Sequence, residues 1–371
     1  MRPLTEADVL DAINNFILEG RMEEYYRYGN GHINDSFCVV CKNENNEKIK
    51  YILQRINIYV FHKPVEVMEN MAGVTDHIRK KIIAEGGDYN RETLTFIRTK
   101  DGKPYYWTST DNFFRMSRFI EGTTCYDLPE SPNDFYEAGV SFGRFQHQLC
   151  DYPIDTLYET IVDFHNTLKR FNRFKEVVKE DKYDRCKDCK KEIDFYLQHE
   201  ALAHIFNDLV ENKMVPIRVT HNDTKLNNVL FDKNTNKSLC VIDLDTVMPG
   251  LALYDFGDSI RFGANTACED EKDLSKVSLS LDYFKAYAQG FLSEVGDAFT
   301  QCEIDNLAFA SKIMTFECGM RFLTDYLNGD TYFNTHYPDH NLVRAKDQFA
   351  LVKDMEDKMP QMQQIIKDIV K

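Results

Sequence analysis

One stretch of the chain, residues 221–228, carries side chains at a spacing that suits phosphoryl transfer. His221 opens it, Asp223 lies two residues later, and Asn228 closes it. Phosphoryl transfer from ATP needs a carboxylate that orients and deprotonates the acceptor hydroxyl, and oxygen ligands that hold magnesium against the phosphates. Asp223 is placed for the first task, and the amide oxygen of Asn228 suits the second. Asp243, at the end of the next apolar run, completes a predicted set of one base and two magnesium ligands.

The same residues also fit a polar loop that leads into a β-hairpin with its turn at 232–237. This turn resembles a calcium-binding loop. However, Lys237 stands where such a loop needs glycine, and Asp243 stands where it needs glutamate. Phosphoryl transfer is therefore the favoured chemistry, and calcium binding is not expected.

The composition indicates which partners the chain has. Of its 371 residues, 43% are hydrophobic and 13% are aromatic, which is ample for a large buried core. Its net charge of −15 argues against a nucleic-acid partner and against an anionic membrane surface, because both rely on basic patches. The expected partners are small molecules, and no obligate protein partner is predicted.

The sequence also bears on cellular location. Glu6, Asp8 and Asp11 interrupt the amino-terminal stretch, which is unlike a secretory signal or a transit peptide. No apolar stretch approaches the roughly 20 residues of a membrane span. Ten scattered cysteines fit a reducing compartment better than a disulfide framework. A cytoplasmic location is expected.

The elements that must position the active residues begin with a capped helix predicted over 5–17. A glycine-rich turn at 28–36 then leads into a strand at 37–41, and the chain returns as a strand at 51–56. The backbone amides of such a turn can approach phosphates. Gly29, Gly31 and Asn34 are therefore predicted to bind the nucleotide.

The remaining pattern predicts an α+β fold. A helix begins at Pro64 and ends at the glycine pair 86–87, and strands at 94–99, 105–109 and 113–120 complete a small mixed sheet. Nearly everything from residue 131 onward has helical periodicity, apart from the hairpin after the catalytic loop. We predict an amino-terminal nucleotide-binding lobe over residues 1–120 and a mainly helical catalytic and acceptor-binding lobe over residues 121–371.

These motifs carry a family resemblance. The chain resembles the aminoglycoside phosphotransferase and choline kinase superfamily, whose members share a protein-kinase-like bilobal fold and the signature H-x-D-x-x-x-x-N followed by an I-D-x-D/E strand. Within it, this chain looks most like the N-acetylhexosamine 1-kinases. The resemblance implies ATP- and magnesium-dependent phosphorylation of the anomeric hydroxyl of N-acetylglucosamine or N-acetylgalactosamine. The strings that carry it lie at 53–57, 164–167, 221–228, 241–250, 254–261 and 321–329.

The resemblance also assigns roles to five polar residues. Asp223 would be the base, with Asn228 and Asp243 as the magnesium ligands. Asp245 lies two residues beyond Asp243, on the same face of the predicted strand, and is a candidate to contact a second magnesium ion or the substrate. Asp255 resembles a structural aspartate that braces the catalytic loop through hydrogen bonds.

The sugar pocket is assigned by the same resemblance. Arg321 would reach the sugar, although an arginine in a carboxy-terminal helix can equally be a surface or ion-paired residue. Phe164 and His165 are further candidates to bind the substrate. An aromatic residue beside a histidine on a helix is also typical of a core.

The third strand departs from the protein-kinase pattern. Protein kinases place a lysine there to hold the α- and β-phosphates, whereas this run offers Gln54 or Arg55. Alternation along a strand puts these two side chains on opposite faces, so only one can point at the nucleotide. Glu69, on the following helix, is a candidate partner for Arg55.

Two other functions stay open. A kinase of the same fold can act on choline, homoserine, an aminoglycoside or a fructosamine-modified protein. A cationic acceptor of this kind requires an aromatic cage or a carboxylate-lined cleft. The second alternative is a nucleotide-binding pseudokinase, supported only by the missing strand lysine.

Overall fold

The computed structural model describes residues 3–29 and 33–371, and the chain divides into two compact units. The first unit comprises Met1–Cys125, Asp151–Val162 and Val229–Pro249, and the second comprises Tyr126–Cys150, Asp163–Asn228 and Gly250–Lys371. The predicted catalytic loop thus belongs to the second unit, and the hairpin that follows it in the chain belongs to the first. The lobe boundary at residue 120 stays a prediction.

Most strands lie in the first half of the chain, and helices dominate the second half. The helices are α1 (Glu6–Asn15), α2 (Pro64–Glu85), α3 (Tyr89–Glu92), α4 (Pro132–Gln148), α5 (Thr167–Glu180), α6 (Lys190–Gln198), α7 (Glu200–Glu211), α8 (Ala252–Gly263), α9 (Leu281–Val295), α10 (Gln301–Leu327) and α11 (His340–Ile369). The strands are β1 (Arg21–Arg27), β2 (Asp35–Lys42), β3 (Lys48–Ile56), β4 (Tyr106–Trp107), β5 (Phe113–Arg118), β6 (Thr123–Thr124), β7 (Arg218–Thr220), β8 (Val229–Asp232), β9 (Ser238–Val241) and β10 (Met248–Gly250). Within the two described ranges, no helix combines the length and apolar content needed to cross a membrane.

The first unit is built on a five-stranded sheet in the order β1-β2-β3-β5-β4. Every pairing that the structure describes in this sheet is antiparallel, including the register that sets Gln54 of β3 opposite Arg115 of β5. The predicted mixed sheet is therefore wrong. A helical connection usually joins parallel strands, but here β3 and β5, which precede and follow α2 in the chain, pair antiparallel.

The helix α1 covers one face of this sheet. Its amino terminus is closed by the predicted capping box, in which Thr5 and Asp8 exchange hydrogen bonds. Its apolar side chains Val9 and Ile13 join Leu53 of β3 in one buried cluster. Burial of such aliphatic side chains stabilises the fold by about 1.5–3 kcal/mol each.

Two of the predicted strands differ from the structure, and one observed strand was not predicted. Residues 94–99 form only single bridges, Phe96 with Ser117 and Thr99 with Phe16. Their apolar alternation reflects packing of Ile97 against the core rather than a continuous ladder. Residues 105–109 contain only the short β4. Conversely, β1 was not predicted, because its mostly exposed and polar residues lack apolar alternation.

The second unit is mainly helical, as the periodicity beyond residue 131 predicts. Aromatic side chains from α5, α6 and α10 form much of its core, among them Phe171 and Tyr196. The helices α4 and α9 approach each other closely at Gly139, where an added Cβ atom would lie 2.3 Å from the carbonyl oxygen of Tyr287. This packing fixes α4, which carries Gln146 toward the catalytic loop.

Candidate active site

The predicted catalytic loop begins directly after β7 and ends in a short 3-10 turn at Leu226–Asn228. Asn222, the residue before Asp223, has a left-handed backbone with φ of 66°. This conformation is uncommon outside glycine and is tolerated best by asparagine and aspartate. It turns the chain sharply just before the candidate base.

Asp255 of α8 holds this loop from within the second unit. Its carboxylate accepts hydrogen bonds from the backbone N–H groups of His221 at 2.9 Å and Asn222 at 2.8 Å, and from the side-chain amide of Gln146 at 2.8 Å. Its carbonyl oxygen accepts from the hydroxyl of Thr224 at 2.6 Å. Burial raises the pKa of Asp255, while His221 and the donated hydrogen bonds oppose that rise. The bracing contacts predicted for Asp255 are confirmed.

Lys225 lies beside the candidate base, a contact that sequence reasoning missed. Its Nζ is 2.8 Å from Oδ1 of Asp223. Burial alone would lower the pKa of Lys225, but the Asp223 carboxylate offsets this and the pKa lies above its usual value. A lysine inside the 221–228 motif was the available signal. The pair places a cation next to the carboxylate that is predicted to take the proton.

The two predicted magnesium ligands flank the β8–β9 hairpin in the chain. In the second unit, the side-chain NH₂ of Asn228 donates to the carbonyl oxygen of Asp223 at 2.8 Å, so its amide oxygen is the atom suited to a cation. In the first unit, Asp243 follows β9 with a left-handed backbone, φ 58° and ψ 54°. A carboxylate and an amide oxygen are hard ligands of the kind that magnesium prefers.

The prediction that Asp243 and Asp245 share one strand face is wrong. β9 ends at Val241, and residues Leu244–Thr246 form a 3-10 turn. The left-handed conformation of Asp243 reverses the chain and cannot continue an extended strand. The alternation rule for strands therefore does not apply to this segment.

Asp245 is buried in a polar cluster of the first unit. Both of its carboxylate oxygens are engaged by the guanidinium of Arg115, and Oδ2 also accepts from the side-chain amide of Asn34 at 2.9 Å. Arg115 in turn donates through Nε to the Gln54 amide oxygen at 2.9 Å. Sequence reasoning did not identify Arg115, because its partner lies 130 residues away in the chain.

Gln54 and Arg55 point to opposite faces of β3, as alternation predicts. Gln54 shares its face with Arg115 and therefore with the Asp245 cluster. Arg55 instead donates to the Asp35 carboxylate and, through Nη1, to the side-chain oxygen of Asn112 at 3.1 Å. The ion-pair partner of Arg55 is thus Asp35 rather than the predicted Glu69.

The glycine-rich turn is described in part. Gly29 has a positive φ of 78°, as a tight turn requires. Gly31 lies outside the described residues. Asn34 bonds to Asp245 through its NH₂ group and accepts from the backbone N–H of Asn57 at 2.9 Å. This part of the turn is therefore tied to the cluster that surrounds Asp245.

Arg321 of α10 lies in a cage of three aromatic rings in the second unit. Its guanidinium carbon is 5.5 Å from the ring centre of Phe164, 6.0 Å from that of Tyr332 and 5.6 Å from that of Phe333. We call this group the arginine cage. The Nε of Arg321 is buried, and it has no hydrogen-bond partner among the residues that the structure describes.

Glu317, one helical turn before Arg321, is a buried carboxylate with several donors around it. Its Oε1 is 2.9 Å from Nδ1 of His165, and its Oε2 accepts from the Thr167 hydroxyl at 2.6 Å. Burial alone would raise the pKa of Glu317, but His165, Arg170 and Arg321 lower it to about 2. Glu317 is therefore ionised at neutral pH.

The structure brings the three predicted sugar-binding residues together. The ring of His165 lies 4.6 Å from that of Phe164, which contacts Arg321. His165 and Phe164 occupy the turn before α5, so the prediction that they lie on a helix is wrong. The Nε2 of His165 is 3.2 Å from the carbonyl oxygen of Asn222 in the catalytic loop. Arg170 of α5 also donates to the carbonyl oxygen of Phe164 at 2.8 Å.

Comparisons with known proteins identify the family and the fold. Residues 27–290 match the model described as the phosphotransferase enzyme family. The structure is similar to an aminoglycoside phosphotransferase from Alicyclobacillus acidocaldarius, with a TM-score of 0.58, 11% identity, and coverage of 99% of this chain and 98% of the other.

Two further solved structures show the same fold. An amicoumacin kinase in complex with AMP-PNP and Ca²⁺ has a TM-score of 0.55 at 11% identity, covering 96% of this chain and 94% of the other. A choline kinase from Cryptosporidium parvum has a TM-score of 0.52 at 14% identity, covering 91% and 90%. The predicted kinase-like fold, with a sheet-based amino-terminal part and a helical carboxy-terminal part, is confirmed.

Proposed function

This chain belongs to the phosphotransferase enzyme family, and on that premise we propose that it transfers the γ-phosphoryl group of ATP to the anomeric hydroxyl of an N-acetylhexosamine. The coarser activity, small-molecule phosphotransfer, follows from the family. The sugar acceptor rests on the arginine cage and on the resemblance of the surrounding sequence strings. The product would be the 1-phosphate of N-acetylglucosamine or N-acetylgalactosamine.

The arginine cage is the observation that favours a neutral, hydroxyl-rich acceptor. Aromatic faces are the usual binding surface for an ammonium group. In this chain the faces of Phe164, Tyr332 and Phe333 already hold the guanidinium of Arg321. A cationic acceptor such as choline or an aminoglycoside would meet a like charge there, which is repulsive at such short range.

Arg321 also offers the chemistry that a sugar needs. Its buried Nε has no partner among the described residues, so a hydroxyl or carbonyl oxygen of the acceptor can satisfy it. The ring of Tyr332 is 67% exposed and can cover an apolar sugar face. Burial would lower the pKa of Arg321, but Glu317 raises it above its usual value, so the guanidinium stays charged.

Asp223 is proposed as the base. The acceptor hydroxyl gives its proton to the Asp223 carboxylate as its oxygen attacks the γ-phosphorus, and the bond from that phosphorus to the β–γ bridging oxygen breaks to release ADP. Asp255 holds the backbone on the amino-terminal side of Asp223. The side-chain NH₂ of Asn228 donates to the carbonyl oxygen of Asp223. The ammonium group of Lys225 lies 2.8 Å from Oδ1 of Asp223 and holds that carboxylate by an ion pair.

Asn228 and Asp243 are proposed to hold magnesium. Their amide and carboxylate oxygens suit a cation that commonly binds one or two protein oxygens together with substrate phosphates. The bound ion would neutralise charge on the phosphates during transfer. The pseudokinase alternative gains no support from these residues, since base and both ligands are present.

For the nucleotide we propose Gly29, Gly31, Asn34, Gln54 and Arg55, as the motifs predict. Of the two strand residues, Gln54 is the better candidate for direct contact. It lies on the face that carries the Asp245 cluster, and Asp245 is only two residues from the proposed ligand Asp243. Arg55, held by Asp35 and Asn112 on the other face, would act by shaping the strand.

The remaining predicted substrate contacts are Phe164, His165 and Asp245. Phe164 forms one wall of the arginine cage and would contact the sugar. His165 and Asp245 are buried and bonded to protein partners in the structure. Direct contact of these two residues with substrate stays a prediction.

An acceptor screen tests the proposal. ATP consumption with magnesium would be measured for N-acetylglucosamine, N-acetylgalactosamine, glucose, galactose, choline, homoserine and kanamycin. Phosphorus NMR of each product would locate the phosphate. We expect turnover of an N-acetylhexosamine to its 1-phosphate, with glucose and galactose serving as matched acceptors that lack the acetamide.

Other outcomes separate the alternatives. Turnover of choline, homoserine or kanamycin alone would keep the family and discard the sugar. Turnover of no acceptor, with ATP still bound, would support the pseudokinase. Phosphate at a position other than the anomeric oxygen would correct the regiochemistry.

A further inference from the structure

We propose that His165 and Glu317 are positioning residues that orient Asp223 by holding the peptide group between Asn222 and Asp223. This inference rests on the proposed role of Asp223 as the base. It assigns His165 a task different from sugar contact. It also links the arginine cage to the catalytic loop.

The peptide plane before Asp223 is held at both of its polar atoms. Its oxygen, which belongs to Asn222, lies 3.2 Å from Nε2 of His165. Its N–H, which belongs to Asp223, donates to Nδ1 of His221 at 3.3 Å. Because a peptide group is planar and rigid, fixing its oxygen and its N–H fixes the direction in which Cα of Asp223 leaves it.

The two histidines that hold this plane are themselves well fixed. His221 is fully buried, with its ring 5.6 Å from that of Phe142 and 6.1 Å from that of Phe145. His165 is anchored at its other ring nitrogen by the Glu317 carboxylate. Neither ring can rotate without breaking a buried contact.

Asn222 needs such support because of its backbone. A left-handed conformation at a non-glycine residue persists only where the surroundings enforce it. Here the N–H of Asn222 is bonded to Asp255 and its carbonyl oxygen to His165, so side chains from two separate segments hold the same residue. Loss of the His165 bond would let the Asn222–Asp223 peptide rotate.

The hydrogen-bond chemistry defines what His165 must supply. A carbonyl oxygen and an ionised carboxylate are both acceptors, so both contacts are satisfied only when both ring nitrogens carry hydrogen. The lowered pKa of Glu317 keeps its carboxylate ionised. Glu317 also lies one turn from Arg321 on α10, so one carboxylate and one imidazole connect the neighbourhood of the arginine cage to the loop.

Two Glu317 variants test whether the side chain at this position must hydrogen-bond to His165 or need only fill space in the core. In Glu317→Gln the amide can donate to Nδ1 of a neutral imidazole and accept from Thr167, so Nε2–H still bonds to Asn222. In Glu317→Leu no such bridge is possible. We expect Glu317→Gln to keep most of kcat, and Glu317→Leu and His165→Gln to lose about 100-fold in kcat, the cost of misplacing a reacting group by about 1 Å.

The Michaelis constants distinguish positioning from binding. A positioning role lowers kcat with little change in KM for ATP or for the acceptor. His340→Gln is the matched control, since His340 is also buried and also pairs with a carboxylate, Asp270, but has no bond to the catalytic loop among the described contacts. We expect this control to keep wild-type kcat while sharing any general loss of thermal stability.

Nitrogen-15 NMR of the histidine rings tests the bridge in the wild-type protein, without relying on a variant that folds. We expect Nε2 of His165 to carry hydrogen, as its contact with the carbonyl oxygen of Asn222 requires. An Nε2 without hydrogen would overturn the proposal, because it cannot donate to Asn222. The proposal would also fail if His165→Gln raised the acceptor KM at unchanged kcat, or if Glu317→Gln lost as much kcat as Glu317→Leu.

The positioning role of His165 and Glu317 can be tested even if the acceptor is not a sugar. If wild-type protein phosphorylates another acceptor, the same variants are compared on that acceptor. If it phosphorylates none, they are compared on magnesium-dependent ATP hydrolysis, in which Asp223 orients water instead. The kcat pattern across the variants decides the positioning role in each case.

Discussion

Arg115 and Asp245 form a buried ion pair that joins β5 to the turn just after Asp243. Their side chains are 3% and 6% exposed, and Arg115 also contacts the sulfur of Met71 at 3.0 Å. Asn34 brings the glycine-rich turn to the same carboxylate. One pair thus organises both the proposed nucleotide turn and the segment that carries a proposed magnesium ligand.

Replacing Arg115 by methionine should destabilise the protein strongly. The change leaves the Asp245 carboxylate buried without its guanidinium, which typically costs about 3–5 kcal/mol. Urea unfolding would measure this loss. Arg98→Met is the matched control, because the Arg98–Asp76 pair is 44% and 52% exposed, and removing an exposed pair costs less than about 1 kcal/mol. Equal losses in the two variants would contradict the structural role of Arg115.

Local sequence patterns predict much of the site because its parts are close in the chain. The motif at 221–228 contains the proposed base and one proposed magnesium ligand, and a fixed spacing suffices to nominate them. Asp255 was also recognisable, since it begins a characteristic string a short distance later. Periodicity likewise indicated the helices of the second unit, whose apolar stripes repeat along each helix.

Contacts between distant segments could not be predicted in this way. Arg115 lies on an ordinary-looking strand, and only the fold brings Asp245 to it. β9 ends at Val241, and the left-handed residue Asp243 prevents the extended backbone from continuing to Asp245, as alternation had predicted. Tyr332, which completes the arginine cage, follows α10 in a turn whose shape depends on hydrogen bonds to the buried carboxylate of Asp325.

Asp223→Asn should abolish most of the turnover without preventing ATP binding. The amide cannot accept the acceptor's proton, and general-base catalysis is worth about 10²–10⁴-fold. Steady-state kinetics would measure kcat, and calorimetry would measure ATP affinity. A variant with wild-type kcat would exclude Asp223 as the base, whereas loss of ATP affinity would mean that the change disturbs the loop.

Arg321→Lys should weaken acceptor binding selectively. Lysine keeps the charge but loses the planar group that stacks in the arginine cage and the buried Nε–H. Loss of a hydrogen bond to a charged group predicts a rise of about 10- to 100-fold in acceptor KM, with KM for ATP unchanged. Lys312→Arg, near the middle of α10, is a control for Lys/Arg exchange on this helix. Unchanged acceptor KM in Arg321→Lys would remove Arg321 from the sugar site.

Gln54→Ala and Arg55→Met should show which face of β3 contacts the nucleotide. We expect Gln54→Ala to raise KM for ATP by about three- to tenfold, the effect of one lost hydrogen bond. Arg55→Met should leave KM for ATP near its wild-type value and lower thermal stability, because it removes the buried guanidinium from the Asp35 carboxylate and leaves only the exposed Arg27 as its ion-pair partner. The reverse pattern would assign the nucleotide contact to Arg55.

Asp347 of α11 makes the stability of the second unit depend on pH. Its side chain is fully buried; Oδ1 accepts from Gln348 at 2.9 Å and Asn265 at 3.3 Å, while Oδ2 has no hydrogen-bond partner among the described residues. Burial, with a smaller effect of Glu269, raises the pKa of Asp347 from 3.8 to about 7. Its carboxyl group is therefore protonated in the folded protein over a range in which it is ionised in the unfolded chain.

The pKa of Asp347 is 3.8 in the unfolded chain and about 7 in the folded protein, and this difference sets how stability changes with pH. Below the unfolded pKa both states hold the proton, and the contribution of Asp347 to stability is complete. As pH rises from about 4 through about 7, the unfolded chain releases the proton first, and up to about 4 kcal/mol of stability is lost. Asp347→Asn should remove this loss, since the amide stays neutral and can keep a bond to Asn265 or Gln348.

Urea unfolding of wild type and Asp347→Asn across this pH range measures the difference directly. We expect the two free energies of unfolding to converge below about pH 4 and the variant to be the more stable above about pH 7. Other groups also make stability depend on pH. Glu317, for example, has a lowered pKa and contributes stability that is lost in acid. Such contributions are the same in both proteins, so they cancel when one free energy of unfolding is subtracted from the other. A constant difference at every pH would show that Asp347 does not titrate between the folded and unfolded states.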